Sequence, residues 1–472
     1  MPKYADGYAV GPQTSILFPP LGLEYVAASI DDISEVKILD NRIKSIDLNV
    51  IEETIKKFKP DYVGISCNLS SQIYNAANIA RVAKNHGATT VVGGWHPTLV
   101  PDEVLNDPFI DIIVRGEGEA TFRELVQNNS PKGIKGVSYK QDGKITSNPD
   151  RELLDLKYIK PPTRKYRTPE ANENYKFFGF PVDAIEVNRG CPYKCTFCCI
   201  HHFYKHTYRS RNNVDVIKEL LSKEINKMAS IVYIIDDNFV VNRKRVESLC
   251  DAIIKTGVRK FFMTQARVDT IVNHPETFKK MADAGFLFLF LGLESFSDRT
   301  LEKLNKRIKF DQIKSAINIL HDLGYIIQGN VILGADLECT RQDIESTIQI
   351  AKSMDVDMLT YSLLTPFPGT ALMDHVKEND LLISNDWRKY NWFSPTIKYQ
   401  NLSSEDLEHY LKKAYEETNY FKYPLWRMNR LLKARGTRFY LSRLKGVPLL
   451  KLGGQFLKNL YDHTFNGKAK RL

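Results

Sequence analysis

Residues 188–198 read Asn188-Arg189-Gly190-Cys191-Pro192-Tyr193-Lys194-Cys195-Thr196-Phe197-Cys198, three thiols in a C-x3-C-x2-C spacing behind an apolar segment. Three of the seven cysteines of the chain fall within the eight residues 191–198, which argues against chance clustering. Three thiolates on an iron-sulfur cluster leave one iron without a protein ligand, and an open iron is what a cluster needs to act on a substrate. A cluster used only for electron transfer wants four cysteines. Zinc is the chemical rival. No second cysteine pair follows at a zinc-type spacing, but His201, His202 and His206 keep that reading open.

From residue 182 the chain alternates apolar runs with amphipathic ones. Strands are expected at 183–187, 231–235, 260–264, 286–291, 325–331 and 358–364, each followed by polar or glycine-bearing residues. Six such units predict a partial (β/α)6 barrel of parallel strands whose carboxyl ends gather around the cysteine loop. Among these ends, Glu294 suits a helix N-terminus, where the dipole favours a carboxylate. Arg267 can pair with Asp236 or Asp269.

With Phe197 just before the third cysteine, the loop resembles that of the radical S-adenosylmethionine (SAM) superfamily, and the order of strand ends over residues 182–375 resembles its barrel. The resemblance implies that Cys191, Cys195 and Cys198 hold a 4Fe-4S cluster whose open iron binds SAM. Reduction by a flavodoxin- or ferredoxin-type donor then yields a 5'-deoxyadenosyl radical, and the hard step belongs to the cofactor. It further implies that Phe197 meets the adenine, Glu294 the methionine ammonium, and Arg267 and Gln265 the carboxylate or ribose. Cys199 is read as a bystander, and no acid–base residue is singled out as catalytic.

The first 135 residues also alternate strand and helix. Strands are expected at 36–40, 62–66, 89–94 and 110–114, and helices at 51–58, at 75–84 and from 120. That order predicts a doubly wound parallel α/β sheet with ligands at the carboxyl ends of its strands. Gly93 and Gly94 sit at one such end, where the backbone can approach a ligand closely. The stretches Phe18-Pro19-Pro20-Leu21-Gly22-Leu23, Gly93-Gly94-Trp95-His96-Pro97-Thr98 and Arg115-Gly116-Glu117-Gly118-Glu119 resemble the cobalamin-binding domain that precedes many radical SAM enzymes. The resemblance implies cobalamin as a cofactor, with Gly93 and Gly94 beside it. The cobalt-ligating D-x-H-x-x-G pattern would fall at residues 40–45, where Arg42 and Ser45 replace its histidine and glycine. Cobalamin therefore stays open, without a histidine ligand from that motif, and a fold that binds nothing is the alternative. His96 is read as a hydrogen-bonded loop histidine.

Residues 136–180 read as a connector with a hairpin at Asp142-Gly143, residues 181–375 as the barrel, and 376–472 as a helical region with a basic tail. A length of 472 residues calls for two or three domains, and 43% hydrophobic with 26% charged residues fits a soluble globular protein. No secretory signal and no membrane-length apolar run is apparent, and unpaired cysteines suit a reducing cytoplasm.

The tail holds the charge asymmetry. Residues 421–472 carry thirteen Lys or Arg against Asp462, a net of +12 within a chain of net +10, so the remainder is −2. Trp426, Phe439, Tyr440 and Phe456 interleave with these basics, a pattern suited to peripheral contact with an anionic membrane on its inner face. A solvated helical face is the plainer reading. Nucleic acid ranks last for the tail, and the RNA methylthiotransferases are disfavoured as a class, because they carry a second cysteine trio and residues 1–135 hold only Cys67. The layout instead resembles the radical SAM enzymes that include the anaerobic magnesium-protoporphyrin ester cyclase, hopanoid methylases and archaeal tetraether-lipid synthases. That implies C–H activation on a large apolar substrate, a membrane lipid or isoprenoid, ending in carbon–carbon bond formation, ring closure or methylation. The alternatives are a cobalamin-dependent methyltransferase or cyclase acting on a tetrapyrrole or other small molecule, and a non-enzymatic iron-sulfur protein.

Overall fold

Apolar strands that are buried on both faces need helices on both sides, and two such sheets build this molecule. The computed structural model describes residues 16–40, 42–43, 47–418 and 424–443. In the first sheet Tyr62–Ser66, Thr89–Gly93 and Ile112–Val114 run parallel. One face is covered by the helices Leu21–Ile30 and Gly118–Asn128, the other by Ile73–Asn85 and Pro101–Leu105.

Two expectations are corrected here. Residues 36–40 form no strand; Asp40 instead accepts from the Arg42 guanidinium at 2.7 Å and the Tyr175 hydroxyl at 3.0 Å, which ties it to the second sheet. The hairpin Val137–Gln141/Lys144–Ser147 is no connector. It extends the first sheet antiparallel to Ile112–Val114, because Val137 and Tyr139 are apolar enough to enter the core.

The second sheet has eight strands. Six are parallel and match the expected units: Phe180–Ile185, Ile231–Ile234, Phe261–Ala266, Phe286–Glu294, Ile326–Leu333 and Met358–Leu363. Lys176–Phe177 and Ile16–Leu17 add antiparallel to the first edge, so the N-terminal segment belongs in part to the barrel. This extension brings Phe18 to 4.6 Å from the Tyr233 ring and Phe177 to 5.2 Å from the Phe288 ring, an aromatic floor inside the half-barrel.

The carboxyl ends of the two sheets meet. Trp95 packs edge-on against Phe203, just past the cysteine loop, and Leu99 lies against Gly369 at the end of the last strand. At the opposite rim of the barrel, the helices Pro424–Arg435 and Thr437–Arg443 close the floor. Arg435 donates to the carbonyls of Leu323 at 2.9 Å and Phe286 at 2.7 Å, and Arg430 pairs with Asp357 at 2.7 Å. Gly285 and Gly324, both at positive φ, leave the space that the Arg443 and Arg435 side chains occupy.

The Phe439 and Tyr440 rings lie tilted against Phe261, at centroid distances of 6.3 and 6.0 Å. This part of the basic tail is therefore a clamp on the barrel, with its aromatic side turned inward. Phe456 and residues 444–472 lie outside the described residues, as does the side chain of Trp426.

Removing the guanidinium at the rim leaves buried carbonyls without donors. Arg435→Ala is expected to destabilise the chain by about 2 kcal/mol in urea unfolding, while Arg438→Ala, at an exposed position of the same arm, leaves the midpoint unchanged.

Candidate active site

The cysteine loop leaves the Phe180–Ile185 strand and is fixed at several points. Asn188–Arg189 pairs antiparallel with Arg209–Ser210. Gly190, at φ +89°, passes so close to Thr207 that a Cβ would stand 2.2 Å from the Thr207 carbonyl oxygen, so only glycine fits. Beyond it Thr196 N–H donates to the Leu304 carbonyl and the Thr196 carbonyl accepts from Leu372 N–H, which pins the loop to the fourth and last barrel strands' connections. All four thiols here are free, and Asn238 Nδ2 lies 3.9 Å from Cys191 Sγ. Burial pushes the Cys199 thiol up to about 12 and raises Cys198 strongly as well, so burial does not separate the two neighbours.

The rings of His201, His202 and His206 gather at centroid separations of 4.3, 5.2 and 5.4 Å. Among the described residues no three His, Cys, Asp or Glu side chains stand as a ready-made metal group, so this geometry by itself favours neither zinc nor cluster.

At the barrel mouth the expected residues take unequal places. Glu294 is buried at φ +61°, an uncommon conformation for a non-glycine residue and one that clusters at functional sites. Its Oε1 accepts from Lys306 Nζ at 2.7 Å and its Oε2 from Asn330 Nδ2 at 3.3 Å. Gly292 makes room for this pair, since a Cβ there would meet Glu294 Oε1 at 2.2 Å and Lys306 Nζ at 2.6 Å.

Lys306 was not anticipated, and its only sequence signal is a basic residue twelve positions past Glu294. Burial works against its charge, but Glu294 and Cys195 outweigh that and raise its pKa. A buried carboxylate beside a buried ammonium can receive both ends of an amino-acid zwitterion.

Arg267 is engaged as its alternative reading had it: it donates to both Asp269 oxygens at 3.0 and 3.2 Å and to the Lys306 carbonyl at 2.6 Å. Its guanidinium also lies 3.6 Å above the Tyr193 ring, so it braces the cysteine loop. Gln265 bonds the Tyr233 hydroxyl at 3.3 Å above the aromatic floor, and Phe197 packs half-buried on the core of the barrel. Asp236 and Asp237, at the end of the second barrel strand, have their pKa pushed up to about 7 by burial. Asp236 accepts from Val187 N–H and Asn188 Nδ2, supporting the root of the loop.

At the first sheet's edge Gly94 is required for local packing: at φ +119°, a Cβ would stand 2.5 Å from the Cys67 carbonyl oxygen. Gly93 meets nothing closer than 3.6 Å. His96 departs from expectation. It is 2% exposed, its ring crosses Trp387 at 4.9 Å, and neither ring nitrogen has a hydrogen-bond partner among the described residues. Arg42, in place of the cobalt-ligating histidine, turns back to Asp40 and the Phe18 carbonyl, and Ser45 lies outside the described residues.

Comparison with known proteins now decides between the metals. The B12 binding domain family matches residues 15–126 and the Radical SAM superfamily matches residues 185–357. An uncharacterized methyltransferase of Pyrococcus horikoshii is 34% identical over 405 residues, covering 84% of this chain and 87% of that protein. The chain belongs to the cobalamin-binding radical SAM family.

The hopanoid C-3 methylase of Methylococcus capsulatus is 27% identical, with 79% of this chain and 71% of that protein covered. The cobalamin-dependent SAM radical enzyme OxsB, solved with aqua-cobalamin and SAM bound, shares the fold with a TM-score of 0.72 at 15% identity, over 97% of this chain and 79% of that one. The chain is an enzyme of this family, and its cofactors are a 4Fe-4S cluster, SAM and cobalamin. The residues fit these groups. Three free thiols share one short, braced loop, a Glu–Lys pair faces it, and the glycine-bearing edge of the first sheet opens on the same interface.

Replacing Cys191, Cys195 and Cys198 together by Ala is expected to remove the bound iron and the visible absorbance of the anaerobically purified protein. Cys199→Ala keeps both, and loss of iron in that variant would reassign the third ligand.

His96 generates a pH prediction. An unfolded histidine takes its proton near pH 6.5, whereas burial holds the folded one down to about 4. The unfolded state therefore binds more protons as pH falls below about 6.5, and stability is lost progressively from there towards about pH 4. Between about pH 7.5 and 5.5, His96→Phe should lose about 1 kcal/mol less than wild type in urea unfolding. Equal losses would show that His96 titrates normally.

Proposed function

We propose that this enzyme methylates an unactivated carbon of a large apolar molecule, a membrane lipid or isoprenoid. The observation that carries the reading is that the carboxyl ends of both sheets open on one interface, through Trp95 on Phe203 and Leu99 on Gly369. When bound there, the cluster with SAM supplies a carbon-centred radical that removes a hydrogen atom, and cobalamin supplies the methyl group.

The chain's own residues perform the binding. Cys191, Cys195 and Cys198 hold the cluster. Glu294 would hold the methionine ammonium of SAM and Lys306 its carboxylate. Arg267 keeps Tyr193 and the loop in place from behind. Phe18, Tyr233, Phe288 and Phe290 line the interior of the barrel below Gln265, an apolar wall that excludes water from the substrate. A hopanoid methylase among the relatives supports a polycyclic or isoprenoid substrate.

The substrate is drawn from an anionic bilayer. Support comes from Lys445, Lys451, Lys458, Lys468, Lys470 and Arg471, which follow the clamped arm in sequence with Asp462 as the one acidic residue among them. No described helix is long and apolar enough to cross a membrane. The electron comes from a flavodoxin- or ferredoxin-type donor.

The test is reconstituted enzyme with SAM carrying a deuterated methyl group, supplied with lipid extract in anionic vesicles. The expected outcome is cobalt near one per chain and label in the lipid fraction, abolished by Cys191→Ala. Label in a water-soluble or tetrapyrrole fraction instead would overturn the lipid reading, and absence of both cobalt and label would overturn methyl transfer.

A further inference from the structure

One guanidinium joins the two cofactor-bearing edges. Arg189 stands one residue before the Gly190-Cys191 turn and is 5% exposed. Its three nitrogens reach three carboxylates: Nη1 donates to Glu117 at 2.8 Å, Nη2 to Glu119 at 2.6 Å and Nε to Glu186 at 2.8 Å. Glu117 stands at the N-cap of the helix Gly118–Asn128 and Glu119 lies in its first turn, both at the carboxyl end of the first sheet, and Glu186 follows the first barrel strand. The Tyr25 ring, from a helix of the first domain, lies 5.1 Å from the same guanidinium. Glu117 is held from the barrel side as well, by Arg209 at 2.9 Å and by Leu154 N–H at 2.7 Å.

Two features make this a mechanical link. Only Gly190 separates Arg189 from Cys191, and Gly190 is packed so closely on Thr207 that a Cβ would stand 2.2 Å from the Thr207 carbonyl oxygen. The loop therefore has no slack between the fork and its first thiol. The fork itself is planar, and its directions are set by three fixed acceptors in two domains.

We infer that Arg189 is a positioning residue that sets where the cluster loop stands relative to the corrinoid-binding edge of the first sheet. The inference rests on the family reading of the two cofactors. Arg189 touches neither thiol nor substrate; it acts through Gly190 on one side and Glu117 and Glu119 on the other. A lysine keeps the charge but cannot point at three acceptors.

The experiment uses the holoenzyme with the cluster reduced and the cobalamin in its paramagnetic cobalt(II) form. Spin relaxation of the cobalt signal is enhanced by the nearby reduced cluster, and the enhancement falls steeply with their separation. Arg189→Lys and Glu119→Gln are expected to keep iron and cobalt contents while the enhancement falls by half or more. Lys279→Ala, which breaks an exposed ion pair with Asp283, leaves it unchanged. Full loading with unchanged enhancement in both Arg189→Lys and Glu119→Gln overturns the inference.

For a variant that does not load both groups, hydrogen exchange of the cofactor-free chain supplies the readout. Faster exchange across residues 188–198 after Glu119→Gln, a change made in the other sheet, supports the link, and unchanged exchange overturns it. Wild-type enzyme that binds iron but no cobalt counts against the cofactor reading alone, and the exchange measurement still decides the inference.

Discussion

Buried charge holds the two sheets of this molecule together. Arg164 and Arg167 from the segment before the barrel, and Arg211 beyond the cysteine loop, meet Glu24, Asp183 and Glu219, all buried or nearly so. The Arg189 fork continues this layer towards the cluster loop. Moving such ions out of water costs several kcal/mol each, and only close, well-directed pairing offsets it. Apolar surfaces of the same area would hold as firmly but would tolerate sliding. A guanidinium fork does not, because each hydrogen bond has a direction as well as a length. An enzyme with cofactors in two domains needs that property, since the reacting groups must meet within narrow limits.

The same constraint explains the unusual backbone at the barrel mouth. Glu294 adopts a left-handed conformation within an irregularity of the Phe286–Glu294 strand, and Gly292 gives up a side chain so that Lys306 can reach it. Strand residues would ordinarily alternate faces. Here the bulge turns a carboxylate into the interior at the height of the cysteines. Arg267, one connection earlier, supports the lysine's carbonyl and the tyrosine of the loop at once.

The parts of this architecture with a short-range signal could be read from the sequence. Six apolar runs gave six parallel strands, and the spacing of Cys191, Cys195 and Cys198 pointed to a cluster open at one iron. What escaped notice depends on distant partners. Residues 36–40 are apolar enough for a strand, yet Tyr175 and Arg42 capture Asp40 and no ladder forms. The 137–147 hairpin looked like a connector because its sheet partner is set by the turn before it, which no period reveals. Lys306 carries no signal without the fold that puts it beside Glu294. His96 looked like an ordinary loop histidine, and only burial against Trp387 shows that its nitrogens go unmatched. The basic tail suggests contact with an anionic membrane or with solvent; backbone carbonyls at the rim take Arg435 and Arg443 instead.

That last feature has a consequence for how the protein is made. Domains form in the order in which they leave the ribosome, and the first sheet and all six parallel strands emerge well before Arg435. Until it arrives, the carbonyls of Phe286 and Leu323 lack their charged donor, and Phe261 lacks the rings of Phe439 and Tyr440. The nascent barrel is therefore an open cup with a sticky base. Its completion waits for nearly the last segment of the described chain, and a translation product stopped short of the arm is a natural client for chaperones.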